Sequence, residues 1–274
     1  MYLRLVGDVH GYTKDYINLV EKATFSIQLG DMGFDYEELY DLDPYSHVFI
    51  GGNHDNYTMK PLPDLEPWVP ALSDSIVSPR LRSVAIGTII SPNENFHLTD
   101  GLRTIPYVQS LLPSVERETV YEFTEFPTHY LGNYGRWTLP NTEKSIFFIR
   151  GGWSIDQKYR FVHKWPWWPR EQMSMFEMES ALHYYVGKKP DFVVSHEAPL
   201  SVLMKVGLNA GKVIPTATNR LLDYMYKEHQ PKYWVFAHYH QYINVKMGET
   251  HFIGLNMLGK DNHFVDFDKD LNLE

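Results

Sequence analysis

The sequence predicts an α/β protein, and three observations support that prediction. Apolar runs of about four to six residues, rich in Val, Ile, Phe, Tyr and Trp, recur along the chain. Runs of this length and composition are typical of buried strands. Each run stops at a polar cluster, and longer stretches with apolar residues at helical spacing lie between the runs. Strands that alternate with helices indicate an α/β architecture.

Five of these runs lead directly into residues that can carry chemistry. They are "YLRLV" before "GDVHG", "FSIQL" before "GDMGFD", "HVFI" before "GGNHD", "DFVVS" before "HEAP", and "KYWVFA" before "HYH". In open α/β sheets, ligands bind beyond the carboxyl ends of the strands. We therefore expect the five polar clusters to gather at one edge and form the functional site.

Three stretches predict helices, at residues 13–24, 170–187 and 218–229, because each repeats apolar residues every three or four positions. Thr13 and Thr218 are the expected N-caps, since a threonine hydroxyl accepts hydrogen bonds from free backbone N–H groups at a helix start.

The length of 274 residues is close to the limit at which one hydrophobic core still grows, so we expect a single domain over residues 1–274. Residues 57–145 form a variable insert region in this interpretation. Five prolines in "KPLPDLEPWVPALSDSIVSPR" predict an irregular connection, whereas "LRSVAIGTII" and "SIFFIR" predict further strands.

Composition excludes several classes of function. The chain has no cysteine, so any metal site uses His, Asp, Glu or Asn. The formal charge of −9 argues against an extended nucleic-acid surface, which needs clustered Lys and Arg. Because no signal peptide or membrane span is evident, we expect a cytoplasmic protein with no membrane partner. The oligomeric state stays open.

The polar clusters together are typical of a metal centre. Carboxylates beside imidazoles suit Mn, Fe, Zn or a similar divalent ion. One shared carboxylate can bridge two ions that lie about 3.5–4 Å apart. Any one cluster is weak evidence, but five in a fixed order, each at the end of an apolar run, are much stronger. The clusters hold Asp8-Val9-His10, Gly30-Asp31, Gly52-Asn53-His54-Asp55, Ser195-His196 and His238-Tyr239-His240.

These motifs resemble the signature of the calcineurin-like metallophosphoesterases, which runs D-x-H, G-D, G-N-H-D/E, H and G-H-x-H. The chain reads "GDVHG", "GD", "GNHD", "SH" and "AHYH" in that order over residues 7–241. The resemblance implies a β-sandwich flanked by helices, with the site at the carboxyl ends of strands. It also implies two divalent ions, most often Mn²⁺, with Fe, Zn, Ni or Mg as alternatives.

Carried over by position, the resemblance assigns a ligand set to each ion, with Asp31 shared as a bridge. His54 stands where the family keeps a histidine near the leaving-group oxygen, and Asp55 follows it as a candidate for orienting that histidine. The first ion would bind Asp8, His10, Asp31 and His240, and the second Asp31, Asn53, His196 and His238.

Two departures from the signature are informative. Ala237 replaces the usual glycine before the last H-x-H. The Ser/Thr phosphatase branch continues G-D-x-x-D-R-G in its second motif, whereas this chain reads "GDMGFD", with no Arg and with Asp35 displaced by one position. The second departure disfavours a protein phosphatase.

The expected function is hydrolysis of a phosphate ester by a hydroxide that bridges two metal ions, with His54 and Asp55 as catalytic residues. A small molecule or a nucleotide is the expected substrate, and the choice between monoester and diester stays open. Alternatives are a nuclease or nucleic-acid end-processing enzyme, with nucleic-acid bases stacked on the aromatic residues near Trp165 to Trp168, a Ser/Thr phosphatase, and a noncatalytic scaffold.

A phosphate site usually adds a cation, and Arg150, at a strand end, is a candidate for binding substrate. A structural ion pair is the alternative for Arg150. Arg160 is a weaker candidate, and His97 is a candidate for a loop over the site.

Overall fold

Two β-sheets form the centre of the protein. The computed structural model describes residues 2–58, 115–117, 126–139, 142–208 and 215–274. The strand predicted at 81–90 and His97 lie outside the described residues.

The first sheet has four strands, and the three that carry polar clusters run parallel to one another. The fourth strand closes the sheet antiparallel to the first strand of the chain. In spatial order the strands are β11 (Phe264–Phe267), β1 (Leu3–Val6), β2 (Phe25–Gln28) and β3 (His47–Phe49).

The second sheet has seven strands among the described residues, four of which are parallel at its centre. In spatial order the strands are β4 (Val115–Arg117), β5 (Tyr134–Thr138), β6 (Ser145–Ile149), β7 (Phe192–Ser195), β8 (Tyr233–Phe236), β10 (Thr250–Gly254) and β9 (Ile243–Met247). The five predicted strands are confirmed as β1, β2, β3, β7 and β8, and "SIFFIR" as β6.

Helices cover the outer faces of both sheets. Helix α1 (Thr13–Val20) and a 3₁₀ turn at Glu37–Asp41 pack on the first sheet. Helix α2 (Gln157–His163) and a second 3₁₀ turn at Pro169–Glu171 come before α3. The helices that pack on the second sheet are α3 (Met175–Lys188), α4 (Leu200–Lys205) and α5 (Ala217–Glu228).

The predicted N-caps were wrong, although all three predicted helices exist. Thr13 is the first residue of α1, where Tyr12 is the N-cap and no side chain caps the helix. In α5 the cap is Thr216 rather than Thr218, because Thr216 and Asn219 exchange side chain to backbone hydrogen bonds in a capping box. A second capping box, between Ser174 and Glu177, delays the start of α3 to Met175.

The two sheets pack face to face around a shared apolar core. Residues from both sheets are fully buried in one cluster, and this burial is the main source of stability at the interface. The predicted β-sandwich flanked by helices is therefore confirmed. The cluster includes Leu5, Ile27 and Val48 from the first sheet and Phe148, Val194 and Val235 from the second.

Among the helices that the structure describes, none combines the length and the apolar character that a membrane crossing requires.

Replacement of Phe148 tests the contribution of the shared core. Phe148 has no exposed surface, so Phe148→Ala should lower the free energy of unfolding by about 3–5 kcal/mol through lost burial and a cavity. Urea unfolding followed by circular dichroism measures this loss. Phe161 is 80% exposed, and Phe161→Ala is a control that should change stability by less than about 0.5 kcal/mol.

Candidate metal centre

The seven side chains predicted as metal ligands meet where the carboxyl ends of the two sheets converge. The loops after β1, β2 and β3 supply the residues from the first sheet, and the loops after β7 and β8 supply those from the second. The residues are Asp8, His10, Asp31, Asn53, His196, His238 and His240, and their side chains lie in two adjoining groups. A third group of possible ligand atoms joins His10 and Asp31 to His54.

The first group joins Asp8, His10 and His240. His240 Nε2 lies 2.7 Å from Asp8 Oδ2 and 2.9 Å from His10 Nε2. His10 Nε2 is 3.7 Å from the same Asp8 oxygen. The other Asp8 oxygen, Oδ1, accepts a 3.0 Å hydrogen bond from the His238 backbone N–H. Three ligand atoms from both sheets thus converge on one point.

The second group joins Asp31, Asn53, His196 and His238. His196 Nε2 lies 3.3 Å from Asp31 Oδ1, 3.2 Å from Asn53 Oδ1 and 3.1 Å from His238 Nδ1. His196 Nδ1 donates a 2.7 Å hydrogen bond to the Leu29 carbonyl. Because Nδ1 is committed to that carbonyl, Nε2 is the ring nitrogen that a metal could bind in place of a proton.

Asp31 lies between the two groups. Its Oδ1 faces His196, as given above, while its Oδ2 lies 4.0 Å from His10 Nε2 in the first group. The two oxygens of one carboxylate therefore point in different directions, each toward imidazole nitrogens. Oδ1 also accepts a 2.6 Å hydrogen bond from the His54 backbone N–H, which holds the carboxylate in place.

The charges of the candidate metal centre fit a bound cation. Asp8 and Asp31 are each 1% exposed, and burial of two carboxylates is costly unless a positive charge compensates them. Asp8 Oδ2 is buried and accepts no aligned hydrogen bond from the described residues. A divalent ion would supply the missing positive charge and would suit this mixture of oxygen and nitrogen donors.

The two histidines of the second group have pKa values shifted in opposite directions. Burial lowers the pKa of His196, but Asp31 and Asp8 raise it overall to about 10, because both carboxylates favour a cation beside them. Burial and the neighbouring His196 lower the pKa of His238 to about 3, so its ring stays neutral. His238 Nε2 lies 3.8 Å from the buried Glu197 carboxylate, which leaves Nδ1 facing the group.

The local backbone is unusual at the predicted ligands. His10, Asp31, His238 and His240 have φ between 49° and 71°, in the left-handed region that non-glycine residues rarely adopt. Such conformations cluster at functional sites, where the surrounding structure enforces them. Gly52 is needed for close approach, because a Cβ there would lie 2.3 Å from Asp31 Oδ1.

His54 lies beside the first group, with Arg160 against its ring. Its ring centroid is 4.8 Å from that of His10. Arg160 Nη2 lies 3.1 Å from His54 Nδ1 and also contacts Nε2. Asp156 pairs with Arg160 Nε at 2.9 Å and fixes the guanidinium. Burial lowers the pKa of His54, Asp31 raises it and Arg160 lowers it, and the pKa lies below its ordinary value.

Asp55 makes its hydrogen bonds away from the His54 ring. Its carboxylate accepts from the backbone N–H groups of Asp31 at 2.9 Å, Gly33 at 3.3 Å and Gly52 at 2.7 Å, and from the Tyr36 hydroxyl at 3.2 Å. Burial and the charge of Asp31 raise the pKa of Asp55 to about 7. The expected contact that would orient His54 is made by Arg160, while Asp55 joins the loops after β2 and β3.

Arg150, the candidate for binding substrate, is fully buried. Its guanidinium donates to Asn133 Oδ1 at 2.6 Å and to the Arg170 carbonyl at 2.7 Å, and it lies 3.6 Å from Glu177 Oε1. The guanidinium has no exposed surface, and these contacts are all to protein groups. These contacts correspond to the alternative of a structural ion pair.

A pocket of about 570 Å³ opens beside His10 and His54. Phe34 forms an aromatic wall, with its ring 6.3 Å from that of His54 and 5.5 Å from that of Trp168. Three acidic residues, Asp35, Glu37 and Glu38, also line the pocket. The pocket therefore joins the candidate metal centre to an aromatic and acidic surface.

Comparison with known protein families decides the assignment. A family profile described as calcineurin-like phosphoesterase matches residues 1–242, most of the chain. The chain belongs to the calcineurin-like phosphoesterase family. The resemblance drawn from the five motifs is thereby confirmed. Membership in the calcineurin-like phosphoesterases supports metal-dependent hydrolysis of phosphate esters. No curated protein sequence matches the chain significantly.

Two solved structures are among those to which the chain is similar. One is a Staphylococcus aureus protein described as a 5′-nucleotidase, in complex with alpha-ketoglutarate, at 13% identity and a TM-score of 0.43. The match covers 99% of this chain but 52% of the other, so the chain spans about half the length of that protein. The second is GAP50, the anchor in the inner membrane complex of Plasmodium, at 12% identity, 99% and 79% coverage and a TM-score of 0.36.

A methyl group at residue 52 should disrupt the centre. In Gly52→Ala the added Cβ would lie 2.3 Å from Asp31 Oδ1 and 2.7 Å from His196 Cε1, so both side chains must move. We expect loss of tight Mn²⁺ binding by isothermal titration calorimetry. Gly187→Ala is the matched control, because no atom lies within 4 Å of its added Cβ. Unchanged Mn²⁺ affinity in Gly52→Ala would contradict the assigned position of the centre.

Proposed function

We propose that the protein hydrolyses compact phosphate esters with two divalent ions, most often Mn²⁺, bound by the seven residues of the candidate metal centre. The observation that carries this proposal is the position of Asp31. Its two carboxylate oxygens face two separate groups of imidazole nitrogens, 3.3 Å and 4.0 Å away. A carboxylate in this position is suited to bridge two ions.

The arrangement of the ligand atoms favours two ions over one, because these atoms fall into overlapping groups rather than one shell and Asp31 belongs to two of the groups. Two buried carboxylates face five histidine rings, including His54, and with neutral rings, as metal binding requires, the formal charge is −2. One divalent ion would balance that charge, and a second would leave a net positive charge that suits a phosphate ester. When bound, divalent ions neutralise charge on a phosphoryl group and lower the pKa of a bound water, so that a nucleophile is available near neutral pH.

His54 is placed to act on the leaving group. Its ring borders both the first group of ligands and the pocket that Phe34 lines. A phosphoryl group held at the centre would direct its ester oxygen toward this pocket, within reach of an imidazole N–H. A proton or a hydrogen bond donated there stabilises the departing alkoxide. Arg160 positions the His54 ring and is itself held by Asp156.

The pocket supports a compact substrate with a planar leaving group. Its volume of about 570 Å³ suits one small molecule, and Phe34 offers a ring face on which a planar group can stack. The carboxylates of Asp35, Glu37 and Glu38 repel further phosphate groups, and Lys14 pairs with Glu38 at 3.5 Å. These acidic residues disfavour a nuclease, because a nuclease must bind several phosphates beside the scissile one.

Other parts of the proposal rest on sequence. We retain a single domain over residues 1–274 and a cytoplasmic location as predictions. The second motif, "GDMGFD", still disfavours a Ser/Thr phosphatase, and the full set of ligand residues disfavours a noncatalytic scaffold.

Activity with Mn²⁺ tests the proposal. The protein, stripped with a chelator and reloaded with Mn²⁺, should hydrolyse p-nitrophenyl phosphate or bis-p-nitrophenyl phosphate. His54→Ala should lower kcat by about 10² to 10⁴, because it removes the group that assists the leaving oxygen. Mn²⁺ stoichiometry by calorimetry should stay at two per chain.

His163→Ala is the control, since His163 lies on α2 outside the predicted ligand set and should leave both quantities unchanged. Mn²⁺-loaded protein that is inert on a broad panel of monoesters and diesters would overturn the proposed hydrolysis. A single bound Mn²⁺ in an active enzyme would instead refute the two-ion centre.

Removal of the Arg160 charge should lower turnover without weakening the binding of substrate or Mn²⁺. Arg160→Gln releases the His54 ring from its neighbour, and misplacement of a catalytic group commonly costs about 10- to 100-fold in rate. We expect kcat to fall by this amount while KM and Mn²⁺ affinity change little. Steady-state kinetics measures the split. A rise in KM with unchanged kcat would show that Arg160 binds substrate rather than positioning His54.

A further inference from the structure

An asparagine ligand poses a problem of orientation. Its side chain ends in an oxygen, which binds a cation, and an NH₂ group, which repels one. The two ends have nearly the same shape, so packing alone does not distinguish them. Asn53 is the only asparagine in the proposed ligand set, and this inference rests on its proposed role there.

The Asn53 amide has one hydrogen-bond partner on the side away from the centre. Asn53 Nδ2 donates to Ser154 Oγ at 3.2 Å, which turns Oδ1 toward His196 Nε2. The space around Oδ1 is narrow, since a Cβ on Gly152 would lie 3.0 Å from it. The direction of the amide therefore depends on what Ser154 presents to it.

Ser154 presents a lone pair because its only hydroxyl proton is used elsewhere. Ser154 Oγ donates to Glu171 Oε2 at 2.6 Å, and the Ser154 backbone N–H donates to Glu171 Oε1 at 2.9 Å. Gln157 Nε2 donates to the same Oε1, also at 2.9 Å. Burial raises the pKa of Glu171, and the hydrogen bonds from Ser154 and Gln157 oppose that shift. With two N–H groups donating to Oε1, the carboxylate acts as the acceptor, and the proton of Ser154 points at Glu171. Only the NH₂ end of Asn53 can then face Ser154.

The carboxylate is itself fixed in place. Glu171 is 1% exposed and ends the 3₁₀ turn Pro169–Glu171. Arg150 donates to the carbonyls of Arg170 at 2.7 Å and Glu171 at 3.5 Å, and Gly152 N–H donates to the Glu171 carbonyl at 3.2 Å. The buried guanidinium of Arg150 thus helps to fix the backbone of Glu171, the last residue in this series of hydrogen bonds.

We propose that Ser154 and Glu171 form a directional relay that sets which end of the Asn53 amide faces the metal centre. Each hydrogen bond in the relay runs the same way, from Asn53 to Ser154 to Glu171. Both residues are positioning residues, because they act on the metal only through Asn53. Such partners of metal ligands commonly contribute about 10- to 100-fold to metal affinity.

The substitution Glu171→Gln reverses the relay with almost no change of shape. The new amide can donate to Ser154 Oγ, which frees the hydroxyl proton to point at Asn53. Asn53 then accepts with its oxygen and turns its NH₂ group toward the metal. We expect Mn²⁺ affinity at the weaker of two sites to fall about 10- to 100-fold, measured by isothermal titration calorimetry on chelator-stripped protein.

Asn53→Asp distinguishes orientation from general damage. A carboxylate has two equivalent oxygens, so an aspartate at residue 53 presents an oxygen to the metal centre in either orientation. Glu171→Gln should therefore cost affinity when residue 53 is asparagine and should cost nothing, or restore affinity, when it is aspartate. A purely structural role for Glu171 would produce the same loss in both backgrounds.

A matched control is available in a second serine that donates to a carboxylate. Ser201 donates to Asp223 Oδ1 through its backbone N–H at 2.9 Å and its hydroxyl at 2.7 Å, and this pair joins α4 to α5. Ser201→Ala should leave Mn²⁺ affinity unchanged. Ser154→Ala, alone and with Asn53→Asp, provides the same comparison if Glu171→Gln does not fold.

The outcomes separate the relay from the proposed function. Wild-type protein that binds no Mn²⁺ would overturn the proposed metal centre. Wild-type protein that binds Mn²⁺ with the same affinity as Glu171→Gln would overturn the relay and leave the proposed function standing. Equal losses from Glu171→Gln with and without Asn53→Asp would also overturn the relay.

Discussion

Two carboxylates buried beneath a ring of histidines impose the constraint on which the rest of the site depends. Asp8 and Asp31 are almost completely removed from water, where each would ionise freely. Ionised carboxylates persist in such a place only with strong compensation. Backbone N–H groups supply part of it, from His238 to Asp8 and from His54 to Asp31. A cation would account for the remainder, and the imidazoles around it would complete its coordination.

This constraint explains why the surrounding backbone is strained. Each ligand must point inward from a tight turn at the end of a strand, and His10, Asp31, His238 and His240 adopt left-handed conformations to do so. Such conformations cost about 1–3 kcal/mol each and persist where other contacts enforce them. Asp55 contributes such contacts, since its carboxylate accepts hydrogen bonds from the backbone N–H groups of Asp31 and Gly52. These bonds tie together the loops after β2 and β3 that carry two of the predicted ligands.

The sequence was most informative where polar residues directly follow a predicted strand. Apolar runs located five strands, and the polar residues after them are the ones that the structure brings together. The family signature added the β-sandwich, which alternation of strands and helices could not distinguish from an open sheet. Thr216 and Ser174 could have been found from their capping-box spacing, T-x-x-N and S-x-x-E. Those signals compete with nearby Thr218 and with an apolar pattern that extends before the helix.

Contacts between distant segments were not predictable from one sequence. Arg150 and Arg160 lie ten positions apart, yet Arg150 is buried under Glu171 and Arg160 touches His54. Spacing does not reveal this difference, because it arises from how residues 151–171 fold back over the end of β3. Ser154, Glu171 and Glu197 were missed for the same reason. Each belongs to an ordinary residue type, and its importance comes from the partner that the fold places beside it.

The division of the predicted ligands between the two sheets has a consequence for the lifetime of the folded protein. An ion held by Asp8 and His10 from one sheet and His240 from the other would act as a further cross-link between layers that share an apolar core. Each tenfold excess of free ion over its dissociation constant would add about 1.4 kcal/mol of stability. Metal supply would then govern the lifetime of the folded chain as well as its activity, and a starved cell would lose the protein itself.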